Sequence, residues 1–218
     1  MLKAVLWDFG GVLTTSPFEA FNRYERENNL PLDFIRTVNA TNPDDNAWAQ
    51  FERSDITPAV FDQRFAEESA SLGHRIQGAA VLSLLSGDVR PNMLAALRAI
   101  KQTYRVACIT NNVRSGQGAG MATTSERANR VAEVMSEFDL VVESSELGIR
   151  KPDPRIYQHT CDALGIEANE ALFIDDLGIN LKPARALGMQ TIKVLSEQQA
   201  LDELSMALSI ELEGSSGR

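Results

Sequence analysis

Three short apolar runs in this chain each stop at residues that carry chemistry. Ala4-Val5-Leu6-Trp7 stops at Asp8, Arg105-Val106-Ala107-Cys108-Ile109 at Thr110, and Ala171-Leu172-Phe173-Ile174 at Asp175-Asp176. Runs of this length read as buried strands of a parallel sheet, and open α/β sheets bind ligands at the carboxyl ends of their strands. One rim is therefore expected to gather a carboxylate, a hydroxyl and a carboxylate pair. Lys151 enters between them in chain order, within Arg150-Lys151-Pro152-Asp153-Pro154. Together these make a site for a divalent cation and an anionic group.

Between the first two strands the text is helical. Ser16-Pro17-Phe18-Glu19 has the form of a capping box with proline at the first helical position, so a helix is expected from there to about Asn28. Phe34, Val38, Trp48 and Phe51 keep helical spacing, Thr57-Pro58 restarts a helix carrying Phe61 and Phe65, and Ala79 to Leu85 is a further apolar run. Residues 16–88 thus read as a helical cap inserted into a core of residues 1–15 and 89–218. From Pro91 helix and strand alternate, with strands expected at 105–109, 139–142, 171–174 and 190–194. The expected class is α/β, a three-layer Rossmann-like core around a parallel sheet. Residues 113–124 form a Gly-rich loop expected merely to connect elements. Leu201, Leu204, Leu208 and Leu212 give one stripe of a last helix, and Gly214 to Arg218 are expected to be disordered.

The net charge of -9 and the lack of any basic run argue against a nucleic-acid partner. No apolar stretch approaches the roughly 20 residues that cross a bilayer, and Asp8 interrupts the opening apolar run too early for a signal peptide. Two cysteines, one inside an apolar run, make no disulfide framework and suit a cytoplasmic setting. His74 and His159 read as ordinary histidines rather than ligands.

In order and context these segments resemble the four signatures of the haloacid dehalogenase superfamily: Trp7-Asp8-Phe9-Gly10-Gly11-Val12-Leu13, Ile109-Thr110-Asn111-Asn112, Lys151-Pro152, and Phe173-Ile174-Asp175-Asp176-Leu177-Gly178. The stretch Phe173 to Val194 is similar to the amino-terminal phosphatase-type domain of soluble epoxide hydrolases and to the matching domain of some acyl-CoA dehydrogenase fusions. The resemblance implies a hydrolase that transfers phosphoryl from a small phosphorylated metabolite to Asp8 and then to water. It implies Mg2+ held by Asp8, the Gly10 carbonyl and Asp176, with Asp175 orienting the metal's waters or Lys151. Thr110 and the Asn111 amide would donate to phosphoryl oxygens, and Lys151 would balance the charge on Asp8. Taken singly, Asp175-Asp176 would also suit a helix cap, Thr110-Asn111 a turn, and Lys151 a surface position.

One departure matters. Phosphatases of the superfamily carry a second aspartate two positions after the nucleophile, as general acid and base, and here that position is Gly10. Proton transfer of this kind contributes about 10²–10⁴ in rate, so ester hydrolysis is expected to be slow. A competing reading is a degenerate member that binds a phosphometabolite or partner without turnover. A haloacid dehalogenase is disfavoured by the acidic pair, and a phosphonate-cleaving member by the lack of any lysine between Lys3 and Lys101. A two-component receiver would place its acidic pair on the first strand. Arg23, Trp48, Phe51 and Arg53 are candidate contributors from the cap to substrate choice.

Overall fold

The computed structural model describes residues 1–112 and 125–215; the Gly-rich stretch 113–124 and residues 216–218 lie outside the described residues. In chain order β1 (Ala4–Trp7) leads into α1 (Pro17–Glu27), α2 (Phe34–Ala40), α3 (Ala47–Glu52), α4 (Pro58–Ser71), α5 (Gly78–Leu82) and α6 (Pro91–Ile100). Then come β2 (Arg105–Thr110), α7 (Ser125–Met135), β3 (Leu140–Glu143), α8 (Ser144–Leu147) and α9 (Pro154–Leu164). The chain continues through β4 (Ala171–Asp175), α10 (Gly178–Ala186), β5 (Gln190–Lys193) and α11 (Glu197–Leu208).

All pairings are parallel, in the order β3-β2-β1-β4-β5, so the α/β class and the strand positions expected from the sequence are met. β1 and β4 are buried along their whole length, which is why their text is apolar throughout β1 and up to Asp175 in β4. Alternate side chains still go to different layers. Val5, Trp7, Val106, Cys108, Leu172 and Ile174 pack with residues of α6, α7 and α11. Ala4, Leu6, Ala107, Ile109, Ala171 and Phe173 pack with residues of α9 and α10. Each fully buried Val, Leu, Ile or Phe stabilises by about 1.5–3 kcal/mol, so burial on both faces fixes the sheet as the middle of three layers. The chain winds from β1 out to β3, then crosses to β4 on the other side of β1. That reversal is the switch point at which such sheets open a crevice, and it falls between Asp8 and Asp175.

Helices α1 to α5 bury a separate apolar cluster that includes Phe21, Ile35, Val38, Phe51, Phe61 and Phe65. The shorter helices among them are capped from their neighbours. The Glu25 carboxylate of α1 accepts from the amides of Asp33 and Ile35 at 2.8 and 2.9 Å, where α2 begins without a side-chain cap of its own. Glu68 of α4 accepts from Ala47 N and Asp62 from Ala79 N, each at 2.8 Å. Caps of this kind are worth roughly 0.5–2 kcal/mol each. The segment returns to the sheet through an antiparallel bridge between Thr14 and Val89, with Arg90 N donating to Leu13 O at 2.8 Å.

The first helix is met as expected: Ser16 Oγ accepts from Phe18 N at 3.4 Å, so α1 starts on a serine cap with Pro17 in its first turn, and it ends at Glu27 with Asn28 as its C-cap. Two other local expectations are corrected. The last helix stops at Leu208 because Ser209 turns left-handed at φ 55°, and Leu212 reaches the core from beyond that reversal. Gly214, expected to be disordered, accepts from Gln198 Nε2 at 2.6 Å and lies against Leu201 and Asn92.

Candidate active site

The strand register delivers the site. Trp7 of β1 pairs with Cys108 and Ile174, so the residues just beyond it, Asp8, Thr110 and Asp175, come to the same rim. Asp8 N donates to Ile174 O at 2.9 Å, which holds the first carboxylate against the end of β4. Its Oδ1 accepts from Phe9 N at 2.7 Å and lies 2.7 Å from Lys151 Nζ. Asp175, fully buried, accepts from Lys151 Nζ at 2.8 Å, from Leu177 N at 2.7 Å, and from Asn180 Nδ2 on both oxygens. Asp176 lies against the backbone of Gly11: a Cβ there would stand 2.3 Å from Asp176 Oδ2, and Gly11 has φ +80°. Only glycine meets both demands. Each of Asp8, Asp175 and Asp176 offers a carboxylate oxygen within 4.8 Å of the others.

Lys151 is 1% exposed, so it is no surface lysine. Asn111 grips its backbone from both sides, accepting from Lys151 N at 2.8 Å and donating to Lys151 O at 2.9 Å. The Lys151–Pro152 peptide is cis. Below it, the Phe173 ring lies 5.6 Å from Nζ, and Tyr157 OH donates to Asn180 O at 2.7 Å. Thr110 is buried at the end of β2. The structure thus gathers Asp8, Asp175 and Asp176 within 4.8 Å of one another, with Lys151 bonded to Asp8 and Asp175, and brings Asn111 to them through the Lys151 backbone. Gly10 sits beside them, with nothing among the described residues beyond its chain neighbours within 4 Å of where a Cβ would project.

Among the described residues, three carboxylates around one ammonium leave the cluster with excess negative charge, which Arg90 eases only in part, at Asp176. Burial, then Asp175 and Asp176, push Asp8 well above the usual carboxylate range, with Lys151 pulling the other way. Burial and Asp175 push Asp176 up to about 6. Burial by itself would lower Lys151, but Asp175 and Asp8 outweigh it and hold the ammonium firmly charged. Hard oxygen donors carrying surplus negative charge suit a small divalent cation. Asp175 already spends both oxygens on Lys151, Leu177 and Asn180, which leaves Asp8 and Asp176 as the freer donors.

Sequence reasoning passed over Asn180 and the side chain of Asn111. The signal for Asn180 was its place four residues after Asp176, one helical turn on and facing back. The side-chain grip of Asn111 had no local signal. Of the candidates on the helical segment, Phe51 stacks on Phe61 at 4.6 Å and Trp48 meets it edge-on at 5.8 Å, so both belong to that segment's own core. Arg53 pairs with Asp55 at 2.8 Å, and Arg23 is exposed. His74 and His159 are exposed.

A parallel sheet whose carboxyl rim holds a buried, lysine-paired aspartate beside an acidic pair defines a Rossmann-like hydrolase. A sequence profile of haloacid dehalogenase-like hydrolases matches residues 2–188, and the chain belongs to that family. It is 32% identical over 216 residues to "Acyl-CoA dehydrogenase family member 10" of Mus musculus, covering 96% of this chain and 19% of that protein. It is 30% identical over 219 residues to "Bifunctional epoxide hydrolase 2" of Mus musculus, covering 93% and 38%. The chain therefore spans well under half of these relatives. "Phosphatase MT3486" of Mycobacterium tuberculosis is 29% identical over 220 residues, covering 95% and 94%. A crystal structure of HAD family enzyme bt-2542 from Bacteroides thetaiotaomicron, in complex with magnesium and inorganic phosphate, shares the fold at TM-score 0.58 and 23% identity, covering 88% and 94%.

Proposed function

We propose that the chain is a magnesium-dependent phosphatase of small phosphorylated metabolites, with Asp8 as nucleophile. The observation that carries this reading is the gathering of three carboxylates within 4.8 Å beside one buried lysine. The Asp8 carboxylate attacks phosphorus; an oxygen–phosphorus bond forms as the ester bond breaks, and the departing alkoxide takes a proton from water. Water then attacks the aspartyl-phosphate, releasing inorganic phosphate and restoring Asp8. Lys151 orients Asp8 and balances its charge, while Asp175 holds Lys151 in place. Thr110 and the Asn111 amide donate to the phosphoryl oxygens. Magnesium, held by Asp8, the Gly10 carbonyl and Asp176, would supply neutralisation of the repulsion between nucleophile and phosphate. Residues 16–88 act as a cap over a core of residues 1–15 and 89–218, choosing the substrate and excluding bulk water. We place the protein in the cytoplasm, where its two buried thiols, Cys108 and Cys161, stay reduced.

Gly10 favours a second reading, a binder of phosphometabolites that does not turn them over. p-Nitrophenyl phosphate separates the two because its leaving group needs no proton. Phosphate release that requires magnesium, stops with chelator and vanishes in Asp8→Asn is the outcome expected. A folded wild type with no release at saturating magnesium overturns the phosphatase and leaves the binder.

A further inference from the structure

The last residue of α3, Glu52, is buried, and its carboxylate, besides a hydrogen bond from Trp48 of its own helix, meets residues outside the helical segment. Its Oε2 lies 2.6 Å from Arg150 Nε and 3.5 Å from Asn111 Nδ2. Its carbonyl accepts from Ser144 Oγ at 2.8 Å, and the same oxygen of Ser144 accepts from Asn112 N at 3.0 Å. Two flanking bonds reinforce the join: Ser54 Oγ to Ser145 O and Arg150 Nη1 to Pro43 O, each 3.0 Å. The end of α3 is thus plugged into the segment just after β2, the start of α8 and the residue just before Lys151. Both partners of the ion pair have most of their side chains covered, at 19% exposure for Arg150 and 7% for Glu52, so it is not one of the solvated surface pairs that contribute little.

We infer that Glu52 is a positioning residue for Lys151, acting through Arg150 and Asn111. The inference rests on the phosphatase reading for its consequence in turnover, and on geometry alone for its consequence in structure. Arg150 is a second cation next in chain to the lysine that must face Asp8. Glu52 engages it on the far side, leaving Lys151 the one to meet the carboxylates. Asn111 is held between the same Glu52 oxygen and the Lys151 backbone, so a shift of α3 is passed to the ammonium through two hydrogen bonds.

The test compares Glu52→Ala, Glu52→Gln and Glu52→Asp with Phe65→Leu, which loosens the core of the same helical segment without touching this network. Turnover of p-nitrophenyl phosphate is read at saturating magnesium, well below each variant's melting temperature, alongside hydrogen exchange of the Asn112 and Lys151 amides. In Glu52→Ala, kcat is expected to fall roughly 10- to 100-fold, the scale of an ångström-level misplacement of a charge-balancing group. KM is expected to stay within about threefold, since what is lost acts in the transition state. Both amides should exchange faster, and Glu52→Asp should restore part of kcat. If Glu52→Ala does not fold, isosteric Glu52→Gln carries the comparison. An unchanged kcat in a folded variant, or a drop no greater than in a Phe65→Leu protein of equal melting temperature, overturns the inference. A wild type without phosphatase activity sinks the proposed function; the inference then stands or falls on the exchange of the two amides and on the variants' affinity for inorganic phosphate.

Discussion

Replacing Gly10 by aspartate is expected to speed hydrolysis of unactivated phosphate esters while leaving p-nitrophenyl phosphate nearly untouched. The backbone permits it. Among the described residues, its chain neighbours aside, no heavy atom lies within 4 Å of a Cβ at position 10, whereas one at Gly11 would strike Asp176 at 2.3 Å. Gly10 is also absent from the positive-φ residues, so an L side chain meets no backbone penalty there. A proton donor for the leaving group is worth about 10²–10⁴ in rate, or about 2.7–5.4 kcal/mol of barrier. Against this stands repulsion from the carboxylates of Asp8, Asp175 and Asp176. At an effective dielectric of 20 each would cost roughly 2.4 kcal/mol at about 7 Å, with Lys151 offsetting a similar amount. The repulsion acts on the charged form alone, so it raises the newcomer's pKa and keeps it protonated toward neutral pH, the state a general acid needs. The gain should therefore survive near its lower end, about 100-fold in kcat/KM for a simple alkyl phosphate, with less than about threefold for p-nitrophenyl phosphate. Gly10→Asn is the control, equal in size and unable to donate the proton. Equal rates for the two variants on the alkyl ester, in folded proteins that still hydrolyse p-nitrophenyl phosphate, would refute the reasoning.

Gly11→Ala should cost about 1–2 kcal/mol from the left-handed backbone alone and displace Asp176; a magnesium titration of activity should show the half-saturating concentration raised about 10- to 100-fold, and an unchanged value counts against Asp176 as a ligand. Burial raises Glu52 above its ordinary 4.5, with Arg150, the Trp48 hydrogen bond and Lys151 opposing. The folded state thus holds this proton more tightly than the unfolded chain, so the contribution of Glu52 to stability falls as pH rises from about 4.5 through the raised value. Paired melts from pH 4 to 8 should show wild type losing ground to Glu52→Gln over that span and levelling above it. A trend of opposite sign would mean that Arg150 outweighs burial.

The sheet and the residues gathered on its rim were legible because both are written locally. Burial on two faces leaves apolar runs, Ala4 to Trp7 in β1 and Ala171 to Ile174 in β4, and the first polar residue after each run marks the rim. The helical segment was legible only as helix. Its boundaries depend on Glu25, Asp62 and Glu68 capping helices other than their own, which leaves no pattern in any short window. Asn111 looked like a donor through its backbone, yet its side chain grips Lys151, a residue brought near only by the crossover through α7 and β3. Glu52 and Arg150 meet for the same reason. Residues that bear charge toward a ligand show themselves in order and spacing; residues that hold those residues in place are chosen by tertiary proximity.

Charge balance bears most directly on which chemistry of this family the site can run. Haloacid cleavage also uses an aspartate nucleophile, but dispenses with a metal and accepts a substrate that is itself a carboxylate. Here Asp8 faces Lys151 with Asp175 and Asp176 beside it, and burial with the two neighbouring carboxylates already pushes Asp8 well above the usual range. A protonated carboxyl is a poor nucleophile, and a further anion arriving without a cation would strengthen the tendency to hold that proton. Asp176 is the residue that tips the balance. It adds charge the lysine cannot cover, and burial and Asp175 push it up to about 6. In a metal-free mechanism that arrangement only weakens the attacking group. Were Asp8 and Asp176 to hold a divalent cation, as proposed, the same surplus would favour its binding, and a dianionic phosphate would then be a substrate the site could tolerate. A second carboxylate that would weaken a metal-free attack and would suit a cation site fits the proposed phosphoryl transfer better than haloacid cleavage.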